Sequence, residues 1–144
     1  MSKKVLIVED EIFVALEIEQ IVEDAGFEVG AIAADRKAVL ESADGCAIAL
    51  VDLNLRDGPT GPSIGMDLAA RHGIRVIYVT ANPSQIGEAS VAALGVITKP
   101  FRPPSIAAAL ALAAEDAPEL SAAEIAGFTP FLPPDSSSLM ESRG

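Results

Sequence analysis

The fold predicted for this chain is α/β: a doubly wound, five-stranded parallel sheet in the order 2-1-3-4-5, with helices on both faces. Two observations lead there. Short apolar runs recur five times along the sequence, each of strand length and apolar enough to be buried on both faces, as the strands of a parallel sheet are. Helical patterns or helix-end signals separate them, so strand and helix alternate. Right-handed crossovers then leave few topologies, and 2-1-3-4-5 is the commonest for five strands.

VLIV at 5 to 8 is the first strand, and IFVALEIEQIVEDAG the first helix, with Phe13, Leu16, Gln20 and Val22 marking its spacing and Gly26 its stop. FEVGAIA at 27 to 33 is the second strand. DRKAVLESADG is a short second helix with Asp35 as its N-cap. CAIALVDL supplies the third strand; after the Gly- and Pro-rich loop RDGPTGPSIG, the segment GPSIGMDLAARHG forms a third helix that stops at Gly73. IRVIYVT at 74 to 80 is the fourth strand. NPSQIGEASVAALG is expected to be a fourth helix, capped by Asn82 with Pro83 at its first position. GVITK is the fifth strand and PPSIAAALALAAED the fifth helix.

Composition excludes several functions. Ten Lys and Arg against 21 Asp and Glu leave a formal charge of −11 across 144 residues, with no basic stripe for a phosphate backbone, so no nucleic-acid partner is expected. No apolar run approaches the roughly 20 residues needed to span a bilayer, and the N-terminus lacks the apolar core of a signal peptide. The expectation is a cytoplasmic protein with no membrane partner. Cys46 lies alone in an apolar run and reads as a small buried hydrophobe rather than a metal ligand.

The chemistry gathers at strand ends. The first strand runs into Glu9 and Asp10, the third into Asp52, the fourth ends in Thr80 and the fifth in Lys99. In the order 2-1-3-4-5 the strands carrying them are neighbours about 4.8 Å apart, so their side chains converge on the carboxyl rim of the sheet, where such folds hold their sites. Three carboxylates brought together raise one another's pKa unless a cation compensates. Oxygen ligands without His or Cys favour Mg²⁺ or Mn²⁺, and Lys99 adds an ammonium. A carboxylate so placed can attack phosphorus to give an acyl phosphate. Asp52, between the other groups, is the expected nucleophile; Glu9 and Asp10 would hold the metal, and Thr80 and Lys99 the phosphoryl oxygens.

The motifs LIVEDE, LVDLNLRDG, YVTAN and TKPF, in this order and each ending its own strand, resemble the receiver domain of bacterial response regulators, the CheY-like family with a flavodoxin-like fold. The resemblance spans roughly residues 3 to 116. It implies a sensor histidine kinase or a phosphotransfer protein as donor. It also implies Mg²⁺ held by Asp10, Asp52 and the backbone carbonyl of Asn54, with Glu9 acting through water, and a cis peptide before Pro100. Thr80 would turn toward the acyl phosphate and so switch the binding of a protein partner. On this reading the chain is a phosphoacceptor with self-catalysed phosphorylation and dephosphorylation rather than a conventional enzyme. The family's usual aromatic three residues before the lysine is replaced by Val96, and Tyr78, two residues before Thr80, is a candidate substitute.

The receiver is expected to occupy residues 1–117, followed by a Pro- and Ser-rich, flexible tail over 118–144 with no helix-turn-helix pattern, which makes the expectation a single-domain regulator. Leu120, Ile125, Phe128, Phe131 and Leu132 give that tail apolar anchors for weak docking near the fourth and fifth helices. Two other classes fit the motifs less well. A haloacid-dehalogenase-like phosphatase also uses an aspartate and Mg²⁺, but wants an acid two residues on, where this chain has Asn54. A flavodoxin-like binding module wants a phosphate-cradling loop after the first strand, where this chain has acids. Asp57 reads as a turn residue and His72 as a solvated side chain at a helix end.

Overall fold

The computed structural model describes residues 3–115 and 125–131. Six strands form one sheet: β1 (Lys4–Val8), β2 (Glu28–Ala33), β3 (Ile48–Val51), β4 (Arg75–Thr80), β5 (Ala93–Thr98) and β6 (Phe128–Pro130). Their order is β2-β1-β3-β4-β5-β6. The first five are parallel, in the predicted order, and β6 adds an antiparallel edge against β5. Among the described residues four α-helices accompany them: α1 (Ile12–Asp24), α2 (Arg36–Ser42), α3 (Gly61–His72) and α4 (Pro103–Ala113). None of the helices among the described residues is long and apolar enough to cross a membrane.

The period of two along each strand sorts its side chains onto two separate cores. Val5, Ile7, Leu50, Ile77, Val79 and Ile97 face one side, where Ala15, Ile18 and Val22 of α1 and Ile106, Ala109 and Leu110 of α4 cover them. Leu6, Val8, Val51, Val76, Tyr78 and Val96 face the other side, against Val39 of α2 and Ile64 and Leu68 of α3. Local signals end the helices as expected. Asp35 accepts a hydrogen bond from the Ala38 amide at 2.9 Å, and Gly73 turns left-handed at φ 64° to stop α3.

Three expectations need correction. Residues 83–92 form two short 3-10 turns, Pro83–Gln85 and Gly87–Ala92, rather than one α-helix, and the Asn82 side chain caps neither. Gly87, the first residue of the second turn, adopts φ 53°, which interrupts any continuous right-handed helix. In α1 the buried residues are Ala15, Ile18, Ile21 and Val22, whereas Phe13 is 82 % exposed and Leu16 also faces solvent. Apolar residues lie on several sides of this helix, so spacing alone left its phase open, and packing on the sheet set it. The third correction is the additional strand β6: the expected sheet had five. The expected boundary at residue 117 falls outside the described residues, as do Leu120 and Leu132.

Candidate functional site

The sheet continues one residue past several strands, and these extra rungs fix the rim. The Glu9 amide donates to the Ala33 carbonyl at 3.0 Å, the Asp52 amide to that of Val8 at 2.9 Å, and the Lys99 amide to that of Thr80 at 2.9 Å. Backbone pairing therefore sets Asp52 beside the end of β1 and Lys99 beside the end of β4 before any side chain is considered.

The side chains then meet. Lys99 Nζ lies 2.8 Å from Glu9 Oε1 and 3.1 Å from Asp52 Oδ2, so one ammonium joins the first and third strand ends. Asp52 Oδ1 accepts the Leu53 amide at 2.7 Å, and Glu9 Oε2 accepts that of Glu11 at 3.3 Å. Asp10 is exposed, but it offers a carboxylate oxygen within 4.8 Å of those of Glu9 and Asp52. Thr80 is buried and its Oγ1 accepts the Asn82 amide at 3.0 Å, which turns the chain away from the rim. Lys99 and Pro100 are joined by a cis peptide. Asn54, two residues beyond Asp52, exchanges side-chain hydrogen bonds with Gln85, the shorter being 3.0 Å.

Burial governs the electrostatics. It pushes the Glu9 carboxyl up to about 7, and the nearby Asp52 charge pushes the same way, against the pull of Lys99. Burial alone would lower the Lys99 ammonium, but the hydrogen bond and charge of Glu9, with Asp52 behind them, outweigh it and raise it. Lys99 is therefore a fixed cation, and Glu9 an acid that holds its proton more tightly than usual. Three oxygen donors converging without nitrogen or sulfur fit a hard divalent cation, with Asp10 on the open side.

Sequence reasoning placed Glu9, Asp10, Asp52, Thr80 and Lys99 on one rim, and they stand there. It missed the supports. The Leu53 amide, the Glu11 amide and Gln85 each hold a member of the site. Gly61 lets α3 start against the third strand end: a Cβ there would stand 2.9 Å from the Asp52 carbonyl carbon, and its amide donates to the Leu53 carbonyl. The pair of glycines in GPTGP was the available signal. Tyr78 is fully buried under α3, and its hydroxyl donates toward the carbonyls of Pro62 and Ala89. Asp57 accepts Thr60 Oγ1 and the Arg36 amide, as a loop-ordering acid does.

Comparison with known proteins identifies the family. The family description of the response regulator receiver domain matches residues 5–111. Over 118 residues the chain is 32 % identical to the phyllosphere-induced regulator PhyR of Methylorubrum extorquens strain AM1, covering 78 % of this chain and 44 % of that protein. The receiver domain of Erythrobacter litoralis PhyR superposes with a TM-score of 0.72 at 27 % identity, covering 78 % of this chain and 89 % of that one. The anti-anti-sigma factor PhyR of Bartonella quintana gives 0.67 at 30 % identity, covering 78 % and 47 %. The chain thus spans less than half the length of the curated relative it matches.

Proposed function

This chain belongs to the response regulator receiver domain family, and from that premise we propose that it accepts a phosphoryl group on Asp52 from a histidine kinase or phosphotransfer protein and thereby switches the binding of a protein partner. The observation that carries this reading is the contact of Lys99 with both Glu9 and Asp52, with the Asp10 carboxylate within 4.8 Å. An Asp52 oxygen attacks phosphorus, the P–N bond to the donor imidazole breaks, and the released imidazole takes up a proton. Lys99 offsets the charge added beside Glu9. The Leu53 amide keeps the carboxylate oriented. Asp10, Asp52 and the Asn54 carbonyl would hold Mg²⁺, with Glu9 behind them, and the ion when bound would neutralise charge on the phosphoryl oxygens. Thr80, at the end of β4, would meet the phosphoryl group and carry the change into residues 81–92.

The test uses acetyl phosphate as a small donor, with intact-mass spectrometry. Wild type gains one phosphoryl group with Mg²⁺ and none with chelator, and Asp52→Asn gains none. Thr80→Ala still gains the group but loses phosphorylation-dependent partner capture. Equal labelling of Asp52→Asn and wild type overturns the assignment. The kinship with PhyR extends to the receiver portion, and the proposal accordingly carries over a phosphorylation-controlled protein interaction and no more.

A further inference from the structure

The edge of β5 is closed by a segment that phosphoryl chemistry does not use. Residues 125–131, IAGFTPF, carry no charge. They turn at Gly127, φ 80°, where the Phe128 amide donates to the Ile125 carbonyl at 3.1 Å, and then run antiparallel to β5. Gly95, Val96 and Ile97 face Pro130, Thr129 and Phe128 in register, and the Phe131 amide donates to the Leu94 carbonyl at 2.9 Å. Phe128 joins the core on the α1 and α4 side, and Phe131 packs against the core on the other. Two aromatics thus clasp β5 from opposite faces.

β5 and α4 are shaped to receive this segment. A Cβ on Gly95 would lie 2.5 Å from Phe128 Cζ and would also overlap the Thr129 carbonyl, so glycine leaves a notch that the segment fills. A glycine inside a strand weakens it unless something approaches that closely. Ser105 is buried in an otherwise apolar face of α4; its hydroxyl donates to the Ala126 carbonyl at 2.5 Å. Among the described residues, Glu9, Asp52, Thr80 and Ser105 are the buried polar or charged ones, and the first three belong to the rim. Yet the pairing is only three residues long, a short strand that relies on its tether for local concentration.

We propose that the β5 edge is a peptide-binding site for an uncharged, extended segment of a partner protein that places an aromatic residue over Gly95, and that residues 125–131 are its resident occupant, displaced when the partner docks. Main-chain groups of Leu94 and Val96 supply the rungs, the notch at Gly95 selects the aromatic, and Ser105 takes a carbonyl two residues before it. The site works without phosphorylation and so is tested apart from Asp52.

A fluorescein-labelled peptide with the sequence of residues 124–132 is titrated into the full chain by fluorescence anisotropy. Gly127→Val, strained at positive φ and crowded against Ser105, and Phe128→Ala each free the edge. Either variant is expected to bind the peptide at least tenfold more tightly than wild type, and adding Gly95→Val or using a Phe128→Ala peptide is expected to abolish binding. If neither variant gains binding, or Gly95→Val leaves it unchanged, β6 is a fixed edge cover and the proposal is wrong.

Discussion

The ring of Tyr78 stands in the space that Gly65 leaves open: a Cβ on residue 65 would lie 2.8 Å from the ring carbons Cε1 and Cζ. β4 and α3 approach this closely only because one partner has no side chain. Helix propensity alone would favour Gly65→Ala by about 1 kcal/mol. Overpacking a fully buried ring costs about 1–3 kcal/mol. The variant is therefore expected to lose up to about 2 kcal/mol, read as a lower urea midpoint at constant m-value.

Tyr78 also ties two elements that are distant in sequence. Its hydroxyl lies 3.3 Å from the Pro62 carbonyl and 3.2 Å from that of Ala89, and burial pushes its ionisation up to about 12. Tyr78→Phe is expected to cost about 1 kcal/mol, since both contacts are long. The more telling readout is local: amide exchange should accelerate in residues 86–92 more than in β4.

Lys99→Met removes the cation between Glu9 and Asp52 while keeping the stem. Two largely buried acids then face each other uncompensated, so the variant is expected to lose about 1–3 kcal/mol at pH 8 and to recover part of it at pH 5, when one acid is protonated. Acetyl phosphate labelling should fall sharply. Equal stability of variant and wild type at pH 8 would mean that the Lys99 contacts contribute nothing net.

Glu9 gives a pH dependence of defined sign. Its carboxyl rises from 4.5 to about 7 on folding, so the folded chain holds that proton more tightly than the unfolded one. The contribution to stability is fully present below about 4.5 and is lost as pH climbs through 7; the whole shift corresponds to roughly 3 kcal/mol. In chelator, the unfolding free energy should fall across this window, and Glu9→Gln should flatten that part of the profile.

The sheet and its rim were legible because both rest on local rules. Apolar runs name the strands, and a polar residue at the end of each can only emerge at the carboxyl edge. The phase of α1 was not legible, because Ile12, Phe13, Val14 and Leu16 offer more than one apolar face. Residues 83–92 read as helical by composition, but the sign of φ at Gly87 is not written in composition. β6 was hidden by its length and by Pro130. Its traces lay elsewhere, in a glycine inside β5 and a serine on an apolar helix face.

The strand order has a consequence for synthesis on the ribosome. After β2 takes its place beside β1, every later strand is laid down on the same growing side: β3, β4, β5 and then β6. A nascent chain therefore keeps the outer edge of β2 and, on the growing side, exposes a second raw edge that is always the newest one. The Phe131 amide faces β5, so the neighbouring Pro130 faces outward, where it has no amide hydrogen to offer another strand. Among the described residues the growing side of the sheet ends at that strand, and until Pro130 emerges the half-made protein is at its most adhesive.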